Sequence, residues 1–302
     1  GANGVVIVTT KGAKEGKIRV SYDGSVGIQT LYKQMDVLSG DEYMTYLNEK
    51  ARVNSQPAVF TPEQIADNVW NTNWQDEIFR SAVITNHAVD ISGGGPTFKG
   101  SLGLSYFNQD GIVKEGGYER ISIRTNLEYN ISKYISASAN IIFSRSNHDQ
   151  MNSQGGSRGT SVINSALTAS PLATPHYDDG SWNDFQTQPT AGMNPVAYLH
   201  EVKNRRYANR LLANAALTVK PVDGLSIQIA ANVQNSQARS DYTRSLAYPN
   251  YDGAASIDFN EVVDITSNNI ITYDKGFGRH HINVMGGITY EQSVSKAVGT
   301  GT

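Results

Sequence analysis

An aromatic and acidic segment in the second half of the chain has the residue types of a sugar-binding loop. Residues 176–186 have the sequence HYDDGSWNDFQ. Rings and carboxylates are interspersed along this segment, namely Tyr177, Trp182 and Phe185 with Asp178, Asp179 and Asp184. Aromatic faces can stack on sugar rings, and carboxylates accept hydrogen bonds from hydroxyl groups. The pattern favours contact with a glycan, and the alternatives are packing of the loop and contact with a protein partner.

A second short motif, GGSRG at 155–159, matches the G-x-S-x-G pattern of a hydrolase nucleophile elbow. That elbow requires a strand that runs directly into the serine and a helix that leaves it. The strand predicted before this motif ends near Ser146, and the intervening sequence DQMNSQGG is typical of a loop. The sequence therefore predicts neither a hydrolase nor any other enzyme, and no catalytic residues are assigned.

Metal and cofactor sites are also not predicted. The adjacent His280 and His281 lie in an extended segment, where neighbouring side chains diverge, so that they are poor joint ligands. The carboxylates of 176–186 lack the spacing of a calcium loop. The chain has no cysteine, and it contains no P-loop, Rossmann fingerprint or zinc motif.

Composition narrows the class of protein without identifying it. The 302 residues are 39% hydrophobic and 18% charged, with a net charge of -3. This charge and the absence of a long basic run argue against a nucleic-acid partner. No apolar run approaches the roughly 20 residues of a membrane-spanning helix. Membrane β-strands remain possible on these data, because their alternating residues average out in hydropathy.

The β-strands that position the loops are predicted from the alternation of apolar and polar residues along the chain. In residues 120–146, RISIRTNLEYNISKYISASANIIFSRS, apolar residues take every second place on either side of a tight turn. Strand side chains point alternately to opposite faces, so this hairpin has one apolar and one polar face. The same pattern recurs in further segments, at 17–29, 101–107, 210–220, 225–236 and 281–291, and more weakly at 86–92 and 263–274. The sequence therefore predicts about nine strands.

Connections between these strands fall into two classes. Tight turns rich in turn-forming residues are predicted at 93–99, 130–133, 221–224 and 274–279. Long loops are predicted at 31–85, 147–206 and 241–256, with one short exception at 110–119. Short turns at one rim and long loops at the other are typical of a transmembrane barrel.

Helix signals occur inside the long loops. Ser39 with Glu42 forms a capping box ahead of EYMTYLNEKA. The helix predicted over EQIADNVW has an N-cap at Thr61, a first-turn proline at Pro62 and a capping partner at Gln64. The helix predicted over VAYLHEV has an N-cap at Asn194 and a first-turn proline at Pro195. We therefore expect short helices in these loops.

The medium against which the apolar faces lie is the main question. The predicted strands have about 10 to 13 residues, longer than is typical of soluble sheets. Their polar faces are mainly Ser, Asn, Gln and Gly, and aromatic residues gather near the tight turns, at Phe98, Tyr129, Tyr134, Tyr273 and Phe277. The residues favour a partial antiparallel transmembrane β-barrel over the alternative, a soluble secreted β-sandwich acting as a carbohydrate-binding or adhesive module. An odd number of strands is not expected to close such a barrel, so we expect the remainder in a longer polypeptide.

Motifs of one family occur in order along the chain. Residues 1–12 resemble the end of the plug domain in SusC/RagA-type TonB-dependent transporters of Bacteroidota outer membranes, with the sequence GANGVVIVTTKG. Residues 71–80, NTNWQDEIFR, resemble the segment that leads into the family's second barrel strand. Residues 91–113 resemble its second and third strands, with an SGG turn and the ending YFNQDGI. Residues 269–291 resemble a later hairpin of the barrel.

The resemblance implies part of a plugged barrel of about 22 strands. Residues 1–14 would be the C-terminal end of the plug, and residues 15–302 the first part of the barrel, with the loops 31–85 and 147–206 outside the cell or in the barrel mouth. The signal peptide, the TonB box, most of the plug and the closing strands are not in this sequence, so we expect the fragment alone to be incompetent for transport.

The resemblance also implies function and partners. The family imports nutrients too large for porins, usually glycan fragments and sometimes peptides, across the outer membrane. It works with a SusD-like surface lipoprotein, which acts as a lid. Energy comes from the TonB–ExbB–ExbD complex, which would act through the missing N-terminal region. The expected surroundings of the barrel are outer-membrane lipid.

Overall fold

A computed structural model describes residues 15–151, 161–185 and 193–302 of the chain. The described residues form one nine-stranded antiparallel sheet, in which each strand pairs with the next along the chain. The strands are β1 Gly16–Gln29, β2 Ala82–Gly94, β3 Phe98–Asp110, β4 Gly117–Asn130, β5 Ile135–Asp149, β6 Val202–Val219, β7 Leu225–Arg244, β8 Ala254–Phe277 and β9 His280–Gly301. The helices are α1 Gly40–Val53, α2 Pro62–Ala66, α3 Trp74–Ile78, α4 Val162–Thr168 and α5 Pro195–Glu201. The prediction of an all-β fold with short helices in the long loops is confirmed.

Most strands extend further than predicted toward the end of the sheet that carries the long connections. The predicted loop at 241–256 is too long at both ends, because Arg244 of β7 still pairs with Ala254 of β8. Only residues 245–253 connect these two strands. In this part of β7 polar residues stand on both faces, so the alternation disappears there while the backbone pairing with β8 continues.

The register of the strands places the predicted apolar residues on one face. Leu104, Ile123, Phe143 and Leu211 form one row across four adjacent strands. Nothing in the described part of the chain packs over this face: Ile288, for example, is 76% exposed. A β-sandwich would bury these side chains against a second sheet, and the described strands form a single layer. The sandwich alternative is therefore wrong.

The predicted tight turns lie together at one end of the sheet. They comprise residues 95–97, 131–134, 220–224 and 278–279. Beside them, Phe98 and Tyr129 face each other across strands β3 and β4, with their ring centroids 6.5 Å apart and both rings about half exposed. In the shortest turn Gly278 has a φ of 62°, a conformation that glycine adopts without steric cost.

The predicted helix starts are confirmed. The Ser39 side chain accepts from the Glu42 backbone N–H at 3.4 Å, and Glu42 Oε2 accepts from the Ser39 N–H at 2.8 Å. Asn194 Oδ1 accepts from the first backbone N–H groups of α5. The helix predicted from Thr61 is shorter than expected and ends at Ala66. Over the described ranges, the helices lack the length and apolarity needed to traverse a bilayer.

Candidate functional site

Segments of the two longest connections fold together into a small core beyond the end of the sheet. Its largest members come from α3, α4, α5 and the loop between α4 and α5, and they are Trp74, Ile78, Val162, Phe185 and Leu199. Trp74 Nε1 donates to the backbone oxygen of Ser170 at 2.9 Å. Helices α3 and α4 were not predicted, because they are too short to show a helical period. The core fixes the connection before β2 to the connection before β6.

Phe185 of the predicted sugar-binding segment belongs to this core. Its side chain is 4% exposed. The ring meets Trp74 edge to face, with centroids 5.2 Å apart. In this structure Phe185 therefore holds its segment in place, and its ring presents no surface to a ligand.

Trp182 of the same segment lies between two histidine rings. Its ring stacks on His176 with centroids 4.0 Å apart and on His200 with centroids 5.6 Å apart. Its Nε1 donates to Glu201 Oε1 at 3.0 Å. His176 and His200 were not predicted as residues of this site, and the sequence signal for His176 is its adjacency to Tyr177.

The remaining residues of the segment form an exposed hairpin tip. The Tyr177 hydroxyl donates to Asp184 Oδ1 at 2.7 Å, and this bond raises the pKa of the phenol. Asp179 accepts from the hydroxyl of Ser181 at 2.6 Å and from its backbone N–H, which lowers the pKa of the Asp179 carboxyl. The Asp178 side chain is exposed. The tip thus presents one ring and adjacent carboxylates to the surroundings.

A third connection joins the same assembly. Tyr248, between β7 and β8, is 5% exposed and contacts the rings of Tyr198 and Tyr251. Burial raises the pKa of the Tyr248 phenol. The backbone N–H of Ser245 donates to the backbone carbonyl oxygen of Glu201 at 2.9 Å. The connections before β2, β6 and β8 therefore form one folded layer.

The polar face of the sheet carries a row of asparagines. Asn126, Asn140, Asn214 and Asn232 are register partners on strands β4 to β7. Asn214 Nδ2 donates to Asn232 Oδ1, and Asn232 Nδ2 lies 3.5 Å from the backbone oxygen of Thr266. Part of this row lines a cavity of about 320 Å³. Primary amides both donate and accept, so this surface suits a polar solute or a polypeptide.

Ion pairs lie on the same face. Arg124 Nη2 is 3.7 Å from Asp90 Oδ1, and Lys99 Nζ is 3.2 Å from Glu128 Oε2. The side chains of both pairs are partly exposed.

The other candidate motifs carry no site in the described residues. The GGSRG motif at 155–159 lies outside them. His281 Nε2 is 2.7 Å from Asp274 Oδ1, a contact to a side chain of the neighbouring strand β8. No group of three or more metal-ligating side chains occurs within the residues that the structure describes.

A single-layer meander of nine long strands, with tight turns at one end, folded connections at the other and one continuous apolar face, defines the wall of a large β-barrel. No protein-family model matches the chain. The chain is 30% identical over 298 residues to TonB-dependent receptor P3 of Formosa agariphila, covering 97% of this chain and 29% of that protein. It is 29% identical over 236 residues to TonB-dependent receptor SusC of Bacteroides thetaiotaomicron, covering 72% of this chain and 23% of that protein.

The fold comparison agrees with the sequence comparison. The structure of the RagAB peptide transporter matches with a TM-score of 0.76 and 17% sequence identity, over 97% of this chain and 37% of that chain. The chain therefore belongs to the TonB-dependent receptors of the SusC/RagA type, as the motifs indicate. It spans less than a third of the length of these curated relatives.

Proposed function

We propose that this chain is part of an outer-membrane, TonB-dependent importer of a large nutrient. The observation that carries the proposal is the separation of the sheet into an exposed apolar face and an amide-rich polar face, in a homologue of TonB-dependent receptors. On β5 the apolar stretch from Ile135 to Phe143 covers nine residues. Membrane strands need about 9–11 residues to cross the hydrocarbon core. The apolar face then contacts acyl chains, and the asparagine row faces the lumen.

The domain assignment and the partners belong to the same proposal. Residues 15–302 form the first part of the barrel, and residues 1–14, which lie outside the described residues, end the plug. A SusD-like lipoprotein covers the folded layer of long connections. The TonB–ExbB–ExbD complex supplies energy through a region that precedes this sequence in the family.

We propose a glycan as the cargo, bound at the exposed hairpin tip. The contacts are Tyr177 as the stacking ring and Asp178, Asp179 and Asp184 as acceptors, while Trp182 holds the segment through its stacking on His176 and His200. Phe185 acts by holding the segment against Trp74. Peptide cargo is the second candidate, because the RagAB structures of the same fold are described as those of a peptide transporter and importer.

Cell fractionation and binding test the proposal in two steps. The full-length gene product should be recovered in the outer-membrane fraction and should require detergent for extraction; clean secretion would contradict membrane placement. Calorimetry of the purified protein against panels of oligosaccharides and oligopeptides then decides the cargo. Binding of peptides with no binding of oligosaccharides would reject the glycan assignment and leave the import function in place.

A further inference from the structure

Three arginines form a cluster on the polar face of the sheet, toward the end that carries the long connections. Arg206 and Arg210 stand on β6 with Ala208 between them on the same face. Arg120 stands on β4 in the register row of Ala208, and Ser146 of β5 is the register partner of both residues. From the spacing of strands and residues in a sheet, the Cα atom of Arg120 is about 10 Å from that of Ala208, and the two β6 arginines are about 13 Å apart. The long side chains of this arginine cluster therefore border one area of the wall, with Ser146 at its centre.

The cluster lacks the carboxylate partners that the neighbouring cations have. The polar face of β4 to β6 carries five charged side chains, from Arg120, Arg124, Glu128, Arg206 and Arg210. Arg124 is paired with Asp90, and Glu128 is paired with Lys99. The three arginines of the cluster are exposed, and no acidic side chain in the described ranges lies within ion-pair distance of them. Three positive charges are therefore left uncompensated on this part of the face.

The flanking strands leave this positive charge in place. The polar face of β7 carries one charged residue, the cation Arg244 at the end of the strand. The carboxylates of β8 that come next on this face belong to Asp258 and Asp264, and Asp264 accepts a hydrogen bond from Ser293. They stand two strands, or about 10 Å, from β6. Like charges so close together repel each other, and a bound anion relieves the repulsion.

The surroundings of the cluster provide donors and space for an oxyanion. The guanidinium carbon of Arg120 lies 5.9 Å from the centroid of the Phe107 ring, and a stacked guanidinium keeps the N–H groups at its edge free. These N–H groups match the oxygens of carboxylates and of tetrahedral oxyanions. Ser144, the register partner of Arg210, adds a hydroxyl donor beside them. Arg206 also borders a cavity of about 380 Å³, whose floor includes the small side chain of Ala238.

We propose that the arginine cluster binds an acidic substituent, a carboxylate or a sulfate ester, on an oligosaccharide in the barrel lumen. The inference rests on the proposed import of a glycan and specifies that glycan as anionic. The hydroxyl groups of the same sugar chain meet the serines of β5 and the asparagine row, which lies further from the long connections. A peptide fits this area less well, because its ammonium groups find no free carboxylate on β4 to β6. Recognition is non-covalent.

Calorimetry with charge-matched oligosaccharides tests this site. The full-length gene product, in a non-ionic detergent, is titrated with an oligogalacturonate and its methyl ester, and with a sulfated galactan oligosaccharide and its desulfated form. We expect the acidic member of at least one pair to bind about tenfold more tightly than its neutral counterpart at low salt. The ratio of the two affinities should shrink as salt is added, since salt screens exposed charges. The pair that responds identifies the substituent as a carboxylate or a sulfate ester.

Substitutions in the cluster should remove this discrimination. In Arg120→Gln, Arg206→Gln and Arg210→Gln the affinity for the acidic member should fall several-fold, while the affinity for the neutral member is unchanged. Arg210→Lys keeps the charge and should retain part of the ratio. The unfolding temperature should stay that of the natural protein in each variant.

A matched control exists on the opposite face of the same strands. Arg145 of β5 is exposed, stands in the register row of Ile121 on the apolar face and has no ion pair with a described residue. Arg145→Gln removes the same charge from the protein and should keep the full affinity ratio.

The other outcomes separate this site from the import function. Equal binding of acidic and neutral members, binding of no acidic member, or an equal loss in cluster and control variants would overturn the arginine site. A lowered unfolding temperature with an unchanged ratio would show that the arginines pair with the rest of the polypeptide instead. Binding of hexaglutamate without binding of any acidic oligosaccharide would overturn the assignment to a glycan. Each of these results leaves membrane placement, which cell fractionation tests, intact.

Discussion

Asp90 on β2 and Arg124 on β4 form an ion pair of 3.7 Å across the intervening strand. Gly103 of β3 is the register partner of both residues. A Cβ atom at Gly103 would lie 2.5 Å from Asp90 Oδ1, closer than any allowed contact. A side chain at this position would therefore displace the Asp90 carboxylate from its place beside Arg124, and Gly103 leaves the space between the two charged groups open on the polar face.

Replacement of Gly103 by valine should abolish the coupling between Asp90 and Arg124. We expect a double-mutant cycle of Asp90→Asn and Arg124→Gln to give a coupling free energy of about 0.2–1 kcal/mol in the natural background, because the pair is exposed. In the Gly103→Val background the coupling free energy should be zero. The measurement is the free energy of unfolding in urea at low salt. Ser105→Val, two residues further on the same face, is the control and should preserve the coupling. Equal coupling in both backgrounds would show that the glycine is not required.

Truncation of the loop core should unfold the layer of connections without unfolding the sheet. Phe185→Ala removes a ring that is 4% exposed, and Phe→Ala changes in cores cost about 3–5 kcal/mol. Amide hydrogen exchange should accelerate in α3, α4 and α5, whereas exchange in β4 and β5 should be unchanged. Tyr177→Ala, an exposed ring in the same segment, should leave all these rates unaltered. Uniform acceleration in the sheet as well would contradict a separate loop core.

The exposed ring at the hairpin tip should contribute to glycan affinity. If Tyr177 stacks on a sugar, Tyr177→Ala should weaken oligosaccharide binding roughly tenfold, or about 1.4 kcal/mol. Tyr177→Phe keeps the ring and loses the bond to Asp184, so it should retain most of the affinity. Calorimetry with the full-length protein makes the measurement, and Tyr46→Ala, another half-exposed tyrosine on α1, is the control. Unchanged binding and uptake in Tyr177→Ala and Trp182→Ala would reject the site.

The turn between β3 and β4 should loosen in acid. Lys203 Nζ lies 3.0 Å from Glu115 Oε2, and this bond lowers the pKa of the Glu115 carboxyl below its ordinary value of 4.5. The stabilisation is complete above the ordinary value and is lost as the pH falls through the lowered value, since protonation then breaks the ion pair. Hydrogen exchange in residues 111–116 should therefore accelerate at low pH.

Two variants isolate this effect. In Glu115→Gln and in Lys203→Met the exchange of the turn, after correction for the intrinsic rate, should no longer depend on pH in the acidic range. The carboxyl is largely exposed, so we expect a modest change in rate. Persistence of the acid-induced loosening in Glu115→Gln would assign it to another group.

Local sequence patterns determined the elements of this protein. Alternation of apolar and polar residues has a period that each strand carries by itself, so the strands and their two faces could be read from segments such as 120–146. Caps are local in the same way, and Ser39 and Asn194 indicated where α1 and α5 begin. The motifs that occur in order along the chain then indicated the family.

Tertiary structure decided what depends on distant residues. The row from Asn126 to Asn232 exists because hydrogen-bond register and turn lengths align four strands, and neither is visible in one strand alone. Phe185 and Tyr177 looked equivalent in the sequence, yet contact with Trp74 buries the first and leaves the second exposed. Strand β7 continues beyond its alternating segment because backbone hydrogen bonds do not require apolar side chains. Period and capping are properties of a segment, whereas register and burial belong to the contacts between segments.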